Sequence, residues 1–158
     1  MSAFVDFDLS EVEAACHAYE KHLVRVVHQA VETAVKAGVR EAVTRRRYKD
    51  RTGMLTQDAV GRVLIRLMDG AVGEMFWKQK YASYVDAGTR PHPIVARRKP
   101  NLVFDWPKIG GIFVGKSVNH PGTRPTGFAG LAYLKADAVL KAEIEGGAQM
   151  VERLVFHS

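Results

Sequence analysis

Cys16 and His17 stand side by side, and a thiol next to an imidazole is the pairing a nucleophile and its base would use. Neighbours on a helix point about 100° apart, however, so these two cannot act on one atom. His17, His22 and His28 lack the four-residue spacing that sets two imidazoles on one helical face for zinc, and they read as surface or interface histidines. His92 and His120 each lie beside a proline. If their loops meet they supply two metal ligands, and a catalytic zinc site needs three from the protein. Glu143 and Glu145 read as solvated helix charges. Neither G-x-x-x-x-G-K-[ST] nor G-x-G-x-x-G occurs, so no phosphate cradle is present. These residues do not converge on an active site, and the sequence leads us to expect neither catalysis nor a cofactor.

The other side chains with binding potential are cations. Arg45, Arg46, Arg47, Lys49 and Arg51 form one cluster, and Arg90, Arg97, Arg98 and Lys99 a second. The chain has 23 basic and 17 acidic residues, a net charge of +6 and an isoelectric point near 9.6. Such a balance allows an anionic partner without requiring one. The run TRRRYKDR holds one aromatic among its cations but matches no helix-turn-helix, zinc-finger or RRM pattern. Cations there also suit a helix C-terminus, whose dipole end is negative. The tripeptide Gly-Thr-Arg occurs twice, at Gly88-Thr89-Arg90 and Gly122-Thr123-Arg124, each time followed by proline. We expect the two copies to lie together and to contact a partner, because the planar guanidinium fork suits carboxylates and carbonyls.

The elements that must position these residues are legible from periodicity. Val12, Cys16, Tyr19, Leu23, Val26 and Ala30 recur at spacings of three and four, which predicts one helix over about residues 10–45 with this stripe as its core or oligomer face. Cys16 falls on the stripe and is expected to be a buried, inert thiol. At 1.5 Å per residue the helix is about 50 Å long, too long to bury its whole length against its own domain. Gly38 weakens the pattern. Residues 62–67 and 72–78 read as two strands of a hairpin, and 80–88 as a short helix closed by Gly88. Residues 89–100 and 120–125 read as loops, and 101–106 and 111–118 as two more strands. A C-terminal helix over about 127–155 follows, which Gly146 and Gly147 could interrupt. The 158 residues, 17.5 kDa, suit a single domain, with the sheet region at about 60–118. The expected class is α+β, with both long helices packed on a small antiparallel sheet.

One cysteine excludes an internal disulfide, and no apolar run is long enough to cross a membrane. The acidic N-terminus lacks the order of a signal peptide, so synthesis in the cytoplasm is expected.

Several segments in order carry a resemblance. Arg51-Thr52-Gly53-Met54-Leu55 follows the long helix. Tyr81-Ala82-Ser83-Tyr84-Val85-Asp86-Ala87-Gly88-Thr89-Arg90-Pro91-His92-Pro93-Ile94 comes next, then Leu102-Val103-Phe104, then His120-Pro121-Gly122-Thr123-Arg124-Pro125 with Phe128 opening the last helix. Over about residues 51–132 the chain resembles the gene-product-ten-like tail-component family of long-tailed bacteriophages, whose members are neck or tail-completion proteins. Asp86 stands where that family more often has glutamate, and Gly127 where it more often has proline. The resemblance implies a virion structural protein, made in the bacterial host cytoplasm and not bound to membrane. It implies a ring of copies at the neck or tail end, next to a stopper, tail terminator or tail tube and close to the DNA channel. On this reading Arg45, Arg46, Arg47, Arg51, Arg90, Arg97, Arg98 and Arg124 are the candidate partner-interface residues, and the cluster at 45–51 is expected to grip an acidic patch on an adjoining ring rather than DNA. Two alternatives stay open: a basic DNA-binding accessory protein, and a small enzyme built on the His92 and His120 loops.

Overall fold

A computed structural model of the chain describes residues 10–46, 48–50 and 52–156. Its contacts divide the chain into two compact units, one drawn from Met1–Gln79 and Phe128–Ser158, the other Lys80–Gly127 inserted between them. The class is α+β, as expected. The strands form three separate two-stranded antiparallel sheets rather than one small sheet.

In the first unit, α1 (Ser10–Thr44) packs along α4 (Phe128–Phe156), and a hairpin of β1 (Ala59–Arg66) and β2 (Ala71–Trp77) lies on α1. Glu11 and Glu13 occupy the first turn of α1, where acidic charge suits the dipole. The core is built mostly from small residues: Ala30, Val31, Ala34, Val35 and Ala42 of α1 and Ala132, Ala136 and Val151 of α4 are buried, with Val31 and Val35 against the hairpin at Gly73. The helices approach so closely because a glycine stands at each end of the seam. A Cβ on Gly38 would lie 2.5 Å from the Ala132 carbonyl oxygen and 3.1 Å from Ala136, and one on Gly147 would collide with Val26. Gly38 and Gly147 are therefore contact positions, not breaks, and both helices run through them. Phe128 is 2% exposed, with the Trp77 and Tyr48 rings edge-on at 4.7 and 5.3 Å. The His28 Nε2–H donates to the Leu67 and Gly70 carbonyls (2.9 and 3.1 Å), fastening the hairpin turn to α1.

The expected apolar stripe divides along α1. Ala30 is buried and Tyr19, Leu23 and Val26 are half-buried, but Val12 is 58% exposed and Cys16 is exposed rather than buried. Gly38 meets Ala136 and Val26 meets Gly147, so continuing the antiparallel pairing sets Tyr19 opposite about residue 154. The turns before Tyr19 lie past the described end of α4, so among the described residues no helix packs on them.

The second unit begins with α3 (Ala82–Ala87). Its last carbonyls are satisfied from the end of the unit, where Thr126 Oγ1–H donates to Val85 (2.9 Å) and the N–H groups of Thr126 and Gly127 to Asp86 (3.0 and 3.2 Å). The rest is an antiparallel ribbon in two sections: β3 (His92–Val95) with β6 (Ser117–His120), then β4 (Leu102–Trp106) with β5 (Gly111–Gly115). Here the structure departs from the sequence reading. Residues 92–95 form a strand despite Pro93, and residues 111–118 are two strands with different partners.

Candidate partner-binding surface

The two Gly-Thr-Arg-Pro segments close the base of the ribbon as a clasp. Thr89 and Thr123 exchange both backbone hydrogen bonds at 3.0 Å, and their hydroxyls lie 3.1 Å apart. Gly88 and Gly122 have φ of 75° and 82°. A Cβ on Gly88 would meet the Thr123 carbonyl oxygen at 2.6 Å and the Pro125 nitrogen at 2.7 Å; one on Gly122 would strike the Thr89 carbonyl and come within 3.0 Å of the Pro91 nitrogen. Each segment thus performs for its twin what the twin performs for it, and only glycine fits either position. One register runs from Thr89↔Thr123 to Val95↔Ser117. Within it Pro91 and Pro121 fall opposite each other, and neither has an N–H to give. The ladder is interrupted there and resumes at His92↔His120.

His92 and His120 do meet, with ring centroids 5.2 Å apart. Their Nδ1 atoms serve the clasp: His92 Nδ1–H donates to the Arg90 carbonyl (2.8 Å), and His120 Nδ1 accepts from the Gly122 N–H (3.0 Å). Among the described residues no group of three His, Cys, Asp or Glu side chains converges as a metal site. A shallow hollow of about 710 Å³ beside the pair is lined by Tyr81, Tyr84, Arg90, Ile94 and both histidines.

Beyond Val95↔Ser117 the ribbon acquires a basic bulge. Before pairing restarts at Leu102↔Gly115, residues 96–101 on one strand face only Lys116 on the other. Ala96 N–H still bonds the Lys116 carbonyl (3.0 Å), so five residues, Arg97-Arg98-Lys99-Pro100-Asn101, are extruded and exposed. The distal section then has two unlike faces. Phe104, Trp106 and Phe113 cluster on one, with centroids 5.1 to 5.9 Å apart, and the Phe113 ring lies across Gly115. On the other, Val103, Ile112 and Val114 are 65%, 70% and 60% exposed, with Asp105 beside them.

The candidate arginines fall into two groups. Arg90, Arg97, Arg98 and Arg124 are exposed and their side chains enter no ion pair among the described residues. At the end of α1, Arg45 pairs with Glu41 at 2.8 Å and Arg46 donates to Thr56 Oγ1 at 3.1 Å. Arg47 and Arg51 lie outside the described residues. Thr56 belongs to α2 (Met54–Gln57), a single turn not foreseen from the sequence. Asp50 Oδ2 accepts the Thr56 N–H at 2.8 Å. The Thr56 hydroxyl first, then the N–H groups of Thr56, Gly53 and Leu55, hold the Asp50 carboxyl below its ordinary pKa. The basic cluster is thus partly anchored on its own unit, whereas the cations of the ribbon are unengaged.

The two units also differ in net charge. Residues 80–127 hold eight basic and two acidic side chains, leaving fifteen of each on the rest of the chain, so the inserted unit carries the entire net charge of +6. The inserted unit thus presents exposed arginines and an exposed aliphatic face beyond the clasp. No protein-family model, curated protein or solved structure matches the chain.

Proposed function

We propose that the chain is a structural virion protein of a tailed bacteriophage, a neck or tail-completion component that helps join the tail to the DNA-filled head as part of a ring of copies. The observation that carries this reading is the ribbon of the inserted unit. A two-stranded ribbon is marginal in water, yet this one keeps Val103, Ile112 and Val114 outward and adds unpaired Arg97 and Arg98 at its root. An apolar surface rimmed by charge is what an obligate protein contact requires. The resemblance of residues 51–132 to the phage tail-component family supplies the assembly in which such a contact would be made. Neighbouring rings, whether stopper, terminator or tail tube, are the other partners on this reading. The test is genetic: a phage lacking the chain should yield filled heads and finished tails that do not join, and supplying the chain should restore joining. Normal virions without it refute the proposal.

A second reading, a DNA-binding accessory protein, is favoured by one observation, the concentration of the net charge on residues 80–127. It requires duplex DNA affinity that falls steeply with salt, whereas a protein contact through the aliphatic face does not.

A further inference from the structure

We infer that the inserted ribbon of one copy docks, through its aliphatic face and the cations that bracket it, on the exposed N-terminal turns of α1 of the next copy. The inference rests on the ring reading and names the surfaces that would close the ring. Among the described residues the chain exposes two apolar patches, centred on Val103, Ile112 and Val114 and on Val12 and Cys16, and their surroundings are opposite in charge. On the ribbon, Val103, Ile112 and Val114 lie on one face. Arg97, Arg98 and Lys99 stand at its root and Lys108 in the turn at its tip. On α1, Val12 and Cys16 are exposed, one turn apart, and half-buried Tyr19 continues the stripe. Glu13 and Glu20 flank that stripe on one side and Glu11 on the other, given about 100° per residue; all three are exposed. The first twenty residues of the sequence hold five acidic side chains and no lysine or arginine.

The dimensions agree. Five residues of strand span about 17 Å, and α1 from Ser10 to Leu23 spans about 20 Å. Docking would cover Val12 and Cys16, which α4 leaves bare, together with the aliphatic face of the ribbon. It would set the cations at both ends of the ribbon among the glutamates of α1. The contact joins different surfaces of identical chains, so it is heterologous, and such contacts close into rings when the rotation fits. Complementary charge at the rim of an apolar contact fixes its register and speeds its formation.

A charge swap between full-length chains tests this. One variant carries Arg97→Glu and Arg98→Glu, the other Glu13→Lys and Glu20→Lys. Each alone should lose at least about tenfold in self-association, measured by light scattering across concentration, because its own two surfaces now repel. An equimolar mixture should assemble again, since each altered surface finds its complement on the other variant while the unaltered pair still matches. Each variant's circular dichroism should equal the parent's. As a check independent of charge, Val114→Cys in the otherwise natural chain should give, under mild oxidation, a ladder of multimers linked to Cys16, because each copy then carries both halves of the link. Variants that assemble like the parent, a mixture that fails to recover, or oxidation that stops at dimers would each overturn the docking while leaving head–tail joining as a separate measurement. A monomeric parent chain overturns it too. If Arg97→Glu with Arg98→Glu removes duplex DNA binding and leaves self-association intact, the bulge serves DNA instead.

Discussion

The two units solve the problem of burying apolar surface in opposite ways. The helical unit brings backbones together until alanine, valine and glycine suffice to fill the seam, and its ionic residues balance to zero. Its ion pairs, such as Lys36–Glu32 and Arg66–Glu32, are exposed and local or link α1 to the hairpin. The inserted unit places its rings on one side of a two-stranded ribbon, leaves its aliphatic side bare and keeps every excess charge. The helical unit buries the middle of α1 and leaves only its first turns bare, whereas the ribbon is fixed at its base and open beyond. The difference sets a neutral, internally packed unit against a cationic, open one within one short chain.

Phe128→Ala removes the ring on which Trp77 and Tyr48 converge and should cost the helical unit about 3–5 kcal/mol, read as the shift of the urea midpoint at constant slope. A smaller shift would mean that the three rings do not hold the unit together. Next, Gly122→Ala forces a side chain into left-handed backbone and against the Thr89 carbonyl. It should weaken the clasp by about 1–3 kcal/mol, seen as faster amide exchange at Thr89 and Thr123 with α1 and α4 unchanged. Uniform loss across both units would show that they do not open independently.

Asp50→Ala should lower the melting temperature by less than either, since it loosens only the single turn α2. The carboxyl is held below its ordinary pKa in the folded chain. Its contribution is therefore complete above the ordinary aspartate value, near 4, and disappears as pH falls through the lowered folded value. Parent and variant should differ at pH 7 and converge in stronger acid; a difference that persisted there would assign the effect to something other than the charge. Smallest for stability is the reversal of Arg45, Arg46 and Arg47 to glutamate, which removes the exposed contacts Arg45–Glu41 and Arg46–Thr56 and should leave melting nearly unchanged. If this cluster grips an adjoining ring, the same variant should block head–tail joining with no change in DNA affinity.

Both long helices were legible in the sequence because their stripes repeat over many turns, and the first hairpin because a turn signal separates two β-rich runs. The base of the ribbon was half legible. The repeated Gly-Thr-Arg-Pro pointed to two segments that belong together, and they pair. But Pro91 and Pro93 argue against a strand at 92–95, and what overrides them is pairing with residues 117–120, a non-local fact. Both helices run through Gly38 and Gly147 as expected, but the contact role of these glycines was not legible: glycine weakens a helix considered alone, and its benefit exists only once the opposing backbone arrives. Cys16 follows the stripe faultlessly, but periodicity says which side of a helix is apolar and not where its neighbour ends. The arginines were visible as clusters, and only the structure separates Arg45 and Arg46, engaged on their own unit, from Arg97 and Arg98, which are not.

The Thr89–Thr123 pair has a consequence for how such a chain changes over time. Two strands that exchange both backbone hydrogen bonds hold their Cα atoms about 5.5 Å apart, so the polypeptide leaves for the ribbon and returns from it through a single doorway. Beyond that doorway a longer bulge, a shorter hairpin or a differently charged tip can be exchanged as a cassette while the Thr89–Thr123 pairing is kept. A lineage could therefore alter the ribbon's surface by recombining about thirty residues that share one point of exit and return.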